Sequence, residues 1–230
     1  MKPLLLHHEV MLLALRDEEG TAIGAMYPYA IAGAVLSELS IQKRITITDD
    51  KKQVVAITPD KGTPTPTSSQ LLNEVIEMIE TAKKPKGAKE WVAKVATMKN
   101  LKQRVAEELC DLKVLKEGED KVLWIFPRKI YPELASKFER EIKDRMTKLM
   151  FGQTTKHDER TTLLVSLAKH AGLLPYNFDK ERLKRNKARI EKVASGDMFA
   201  ARATKDAIVA VQTAIMIATM MPIIASTTHS

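Results

Sequence analysis

The sequence predicts a mainly α-helical protein: a single globular domain over residues 1–230, with a buried apolar helix near the C-terminus and one or two short β-hairpins. Three observations predict it. Apolar residues recur at helical spacing through most of the chain. Two stretches, near residues 31–57 and 101–126, read as a helix followed by a hairpin. Residues 207–225 carry no charge, and 15 of these 19 are apolar. Gln212, Thr213, Thr219, Pro222 and the missing basic flank favour a core helix over a membrane anchor there.

The elements follow in order. Leu5, Val10, Leu12, Leu13 and Leu15 predict a short helix ending near Gly20. Ile31, Val35, Leu36 and Leu39 predict a helix over 31–40. Residues 45–47 and 54–57 then form a hairpin around a turn at 48–51. Three prolines and several threonines make 58–69 a loop. Ser69 caps a helix over 70–82, with Leu71, Leu72, Val75, Ile76 and Ile79 on its apolar face. Helices over 88–96 and 101–111 come next. A second hairpin pairs Val114 and Leu115 with residues 122–126 across an acidic turn, 117–120. A shift of 70 residues superposes the two helix–hairpin units, so Glu38 meets Glu108 and Lys43 meets Lys113.

Beyond Pro132 the pattern is helical throughout. A stripe of Leu134, Phe138, Ile142, Met146 and Leu149 marks a helix over 132–151. A buried helix covers 161–171 and is ended by Gly172. A solvated basic helix covers 178–194.

Composition narrows the function. Lys and Arg number 37 against 29 Asp and Glu, a formal charge of +8, which favours polyanionic partners. Aromatics are only 5%, too few for a base-stacking platform. The single cysteine, Cys110, excludes an intrachain disulfide and suits a reducing compartment. It is expected on the inner face of its helix as a structural thiol. No phosphate loop, dinucleotide turn or nucleophile elbow is present, so no enzyme and no cofactor is expected. His7 and His8 are adjacent and should face apart, which speaks against a metal.

Four ordered blocks resemble the Golgi phosphoprotein 3 family: LLHHEVMLLALRDEEG (5–20), GAVLSELSIQKRI (33–45), MKNLKQRVAEELCDLKVL (98–115) and HDERTTLLVSLAKHAGLLPYNF (157–178). The short N-terminus is similar to that of prokaryotic members. The resemblance implies a helical, peripheral membrane protein on the cytoplasmic face, binding phosphatidylinositol 4-phosphate or a similar anionic phospholipid. Eukaryotic members act as adaptors that retain glycosyltransferases in the Golgi.

It also implies site residues. The family's two basic headgroup ligands match Lys99 and Lys102, with Arg104 as a neighbour. Placed three apart on one helix, the lysines would converge on one phosphate, without the bidentate fork of arginine. The family's tryptophan and second arginine fall near Ile23 and at Ala32. Tyr27 or Tyr29 could supply the aromatic, but nothing supplies the arginine, so selectivity among phosphoinositides should be poor. The family's hairpin for membrane contact or self-association corresponds to 115–127. There Val122, Leu123, Trp124, Ile125 and Phe126 form five consecutive apolar residues, while the acidic turn favours a subunit contact, in a homo-oligomer, or packing on the protein body over insertion into a bilayer. The competing reading is a winged-helix nucleic-acid binder. It is disfavoured because the helix over 31–40 has no Arg, Lys or Asn with which to read DNA.

Overall fold

The computed structural model describes residues 3–15, 22–48, 53–57, 66–122, 126–134, 136–152 and 158–195. Helices dominate them. In order the elements are α1 (Leu6–Ala14), α2 (Tyr27–Ile41), β1 (Ile45–Ile47), β2 (Gln53–Ala56), α3 (Gln70–Glu80), β3 (Lys86–Gly87), α4 (Ala88–Ala96), α5 (Leu101–Asp111), β4 (Gly118–Val122), β5 (Phe126–Ile130), α6 (Lys137–Phe151), α7 (Glu159–His170), α8 (Leu174–Asn177), α9 (Lys180–Arg185) and α10 (Lys187–Ala194). The expected apolar helix over 207–225 lies outside the described residues. Among those described, no helix is long and apolar enough to cross a membrane.

The centre is α1. All nine of its residues are buried, including His7, His8 and Glu9. It packs on α2, α5, α6 and α7. A helix covered on every side needs no polar face, and the run VMLLA supplies none. In α2 the ten residues from Ala30 to Leu39 are likewise buried. α7 is the third central helix; Asp158 caps it by accepting the N–H groups of Arg160 and Thr161. Gly172 ends it at φ +70°, where a side chain would be strained.

Helices α3, α4 and α5 surround this centre with one apolar face each. In α3 the buried set is Leu71, Leu72, Val75, Ile76 and Ile79. Each such side chain contributes about 1.5–3 kcal/mol. Ser69 Oγ accepts the Leu72 N–H at 3.2 Å, as its capping role requires. The first hairpin pairs Ile45 with Ala56 and Ile47 with Val54, and β3 adds a short third strand to β2 that the sequence did not signal.

α2 and α5 end alike. Lys43 (φ +54°) and Lys113 (φ +59°) both take the left-handed conformation. Arg44 N then donates to Leu39 O at 2.8 Å, and Val114 N to Leu109 O at 2.9 Å. The same 6→1 closure thus recurs at the 70-residue offset and turns each helix into the chain segment that follows.

Three expectations are corrected. The second hairpin is displaced: Gly118, Glu119 and Asp120 lie in β4, opposite Ile130, Lys129 and Arg128. Lys129 also pairs with Glu117 at 2.6 Å. Glu119 stands opposite Lys129, and opposite charges across the ladder favour a strand here instead of a turn. The helix expected from Pro132 begins at Lys137, and Leu134 is 56% exposed, not on the apolar stripe. The basic helix over 178–194 is two helices. Asn186 Nδ2 donates to Arg182 O and so claims a carbonyl of the preceding turn.

Candidate functional site

Lys99 is exposed in the turn before α5, and Asn100 holds the left-handed conformation (φ +58°) between it and the helix. Lys102, half-buried, is in the first turn of α5. The two therefore do not share a helix face, because the helix starts between them. Arg104 is half-buried and ion-paired with Glu74. Of the positions matched to the rest of the family pocket, Ala32 is fully buried inside α2, and Ile23, Tyr27 and Tyr29 are half-buried.

A larger basic feature leads up to Lys99 and Lys102 in the chain. Between 83 and 102 stand Lys83, Lys84, Lys86, Lys89, Lys94, Lys99 and Lys102, against Glu90 alone. Lys83, Lys84, Lys89, Lys94 and Lys99 are exposed, and none of these five is ion-paired among the described residues. Glu90 turns back to accept the Gly87 N–H at 2.9 Å, closing the N-terminus of α4. Lys86 and Lys94 Nζ lie 5.9 and 5.0 Å from the centroid of the buried Trp91 ring. The signal for this basic stretch is the charge run itself, to which apolar periodicity is blind.

Next to Arg104 a cavity of about 500 Å³ opens between Pro3, Leu5 and His8 of the N-terminal segment, Ser68, Gln70 and Leu71 at the start of α3, and Glu107, Glu108 and Asp111 on α5. Its polar end is a buried cluster. His7 Nε2 lies 3.1 Å and His8 Nε2 2.9 Å from Glu108 Oε2. Ser69 Oγ (2.8 Å) and the Leu71 N–H (3.2 Å) donate to Glu108 Oε1. The adjacent histidines therefore do converge, contrary to expectation. Side chains of a first helical turn tilt towards the N-terminus, so neighbours there can meet at one group. Burial alone would raise the Glu108 pKa. The hydrogen bonds from His7, His8 and Ser69 outweigh it and hold the carboxyl well below the usual range. Burial lowers the pKa of His7 to about 4.

His7, His8 and Glu108 carry metal-type donor atoms within 4.8 Å of one another. The hydrogen bonds give them another role. The Leu5 N–H donates to His8 Nδ1 at 3.2 Å, so the ring's proton sits on Nε2 and is offered to Glu108. A metal at Nε2 would need a lone pair there. The cluster is a cap: it closes the starts of α1 and α3 through one carboxylate. A phosphate entering this cavity would meet Glu107, Glu108 and Asp111, and an arginine already paired with Glu74, so the cavity is a poor anion site.

A second buried ionic group lies on the other side of α1. Arg160 pairs with Glu38 at 3.0 Å and Glu9 at 3.6 Å, and Arg145 pairs with Glu9 at 2.9 Å. Glu38 Oε2 accepts the Leu6 N–H at 2.8 Å. Burial outweighs both arginines and raises the Glu9 pKa. This arrangement ties α1, α2, α6 and α7 together.

Leu123, Trp124 and Ile125 lie outside the described residues, and Phe126 opens β5. Cys110 is half-buried at the rim of the core, where burial raises its pKa. Of the two helices that precede a hairpin, α2 is buried and α5 exposes Glu107 and Asp111, so neither suits the reading of DNA.

No curated protein matches this chain. The family model of Golgi phosphoprotein 3 (GPP34), however, matches residues 6–211. That span runs from the first residue of α1 past the end of α10 and takes in both carboxylate clusters and the basic face. The chain belongs to the Golgi phosphoprotein 3 family.

Proposed function

We propose that this protein is a peripheral membrane protein that binds anionic phospholipid, phosphatidylinositol 4-phosphate or a similar headgroup, through Lys99 and Lys102 and the basic surface around them. Family membership is consistent with phosphoinositide binding at a membrane surface. The observation that carries the reading is the lysine-rich run at 83–102, in which Lys83, Lys84, Lys89, Lys94 and Lys99 are exposed and Glu90, the one acid within the run, is occupied in a helix cap. Such a face attracts anionic membrane at about 1 kcal/mol per cation near the surface. Binding, not catalysis, is the activity it suits. Selectivity should be poor, because buried Ala32 stands where the family places an arginine. The fully apolar run 122–126 at the second hairpin is the proposed contact with another copy.

The test is flotation with vesicles that carry or lack phosphatidylinositol 4-phosphate, alongside a DNA shift assay at matched salt. Lys99→Ala with Lys102→Ala should weaken vesicle binding about thirtyfold. Unchanged binding by that variant, or a preference for DNA, refutes the reading.

A further inference from the structure

Trp91 shows a construction that the family pocket does not account for. Its ring is fully buried, yet what covers it includes two lysines, Lys86 on β3 and Lys94 at the end of α4. The β2–β3 register sets Lys86 opposite Val54 and fixes its backbone beside α4. Helical spacing puts Lys94 three residues after Trp91, over the same indole. Both ammonium groups thus lie against one ring, and neither is ion-paired among the described residues. Glu90 is directed to the Gly87 N–H, and Lys83, Lys84 and Lys89 add further positive charge. The Trp91 indole N–H is itself buried without an acceptor among the described residues. Like charges drawn together repel, and the indole face offsets only part of that cost. An anion would offset the rest.

We propose that Lys86 and Lys94, held over Trp91, form a second phosphate-binding point, which takes the phosphate of an anionic lipid headgroup. This rests on the reading of the chain as an anionic-lipid binder. It adds that α4, and not only the start of α5, faces the membrane. The ligand chemistry is a phosphate mono- or diester, and a free phosphate presents the same group.

The experiment compares vesicle binding of three paired variants. Lys86→Met with Lys94→Met keeps apolar stems over Trp91 and removes both charges; it should bind about thirtyfold more weakly. Lys86→Arg with Lys94→Arg should bind close to the unmodified protein. Lys180→Ala with Lys184→Ala, on α9, should change little. If the Met pair binds normally while Lys99→Ala with Lys102→Ala does not, the second point is refuted and the proposed function stands. If the unmodified protein ignores anionic vesicles, both fall. If the α9 pair loses as much as the Met pair, attraction is a diffuse field and the second point is refuted. A readout free of substitution at the site follows the Trp91 indole N–H by NMR, with Trp124→Phe to assign it. Inorganic phosphate and phosphatidylserine vesicles are added in separate arms. A shift with vesicles alone assigns the site to lipid, and a shift with both assigns it to phosphate generally. No shift in either arm overturns the proposal.

Discussion

Glu38 and Glu108 stand at equivalent places in α2 and α5, 70 residues apart, and do the same work: each carboxylate accepts a backbone N–H at the start of an earlier helix, Leu6 of α1 or Leu71 of α3. Each helix then closes through the same left-handed lysine. The repeat in the sequence is therefore a repeat of one structural joint, in which a late carboxylate finishes an earlier helix.

Removing Glu108 strands four donors at once: the Nε2–H groups of His7 and His8, the Ser69 hydroxyl and the Leu71 N–H. Glu108→Ala should cost about 3 kcal/mol of stability in urea denaturation, and Glu108→Gln less, because its carbonyl still accepts. A loss under about 0.5 kcal/mol for the alanine variant would mean the cap is not formed.

Arg160 is the common partner of two buried acids. Arg160→Met leaves Glu38 with no ionic partner among the described residues, while Glu9 keeps Arg145. The expected cost is about 3 kcal/mol, near the lower end for breaking a buried pair. In a double-mutant cycle, Glu38→Gln in the same chain should recover a measurable part of it. Strict additivity of the two substitutions contradicts the pairing.

Stability should fall in mild acid. Unfolded His7 takes a proton near pH 6.5, whereas the folded, buried ring resists until about pH 4. Between those values the unfolded state binds more protons, so stability rises with pH and is lost as pH falls through the window. The full effect is about 3 kcal/mol. Glu108, with its lowered pKa, adds loss in the same direction below its ordinary value of 4.5. His7→Gln keeps a donor for Glu108 and should flatten the dependence between pH 6.5 and 4. Equal slopes in the two proteins would show that His7 titrates normally.

The apolar run 122–126 is expected to mediate self-association. Trp124→Asp should shift the oligomer to a smaller species in analytical ultracentrifugation. A sedimentation profile identical to that of the unmodified protein removes the hairpin as an interface.

Much of the helical frame was legible because its signals are local. Ser69 before a 3.6-residue apolar stripe sufficed for α3, and the bounds of α4 and α5 followed from spacing alone. The second hairpin was misplaced because Glu117 to Asp120 looks like a turn until Arg128 and Lys129 are set across from it, and that pairing is not local. The His7–His8–Glu108 cluster was hidden for the same reason. Its only trace was the match of Glu38 with Glu108, whose meaning depends on what each carboxylate reaches. Lys99 and Lys102, the proposed headgroup residues, were expected on one helix face; the break at Asn100 between them was not legible, since left-handed asparagine leaves no periodic signature.

The first helix is completed late. Leu6 needs Glu38, His7 and His8 need Glu108, and the Leu4 carbonyl accepts a hydrogen bond from Arg160. A ribosome adding about 5–20 residues per second takes on the order of 10–30 s to travel from residue 6 to residue 160. Throughout that interval the segment Leu4-Leu5-Leu6 and the apolar body of α1 have no finished binding site in the chain. The nascent protein thus exposes its future centre first and buries it last. A slowly translated or truncated copy, stopped before Arg160, should be captured by chaperones or aggregate through its N-terminus.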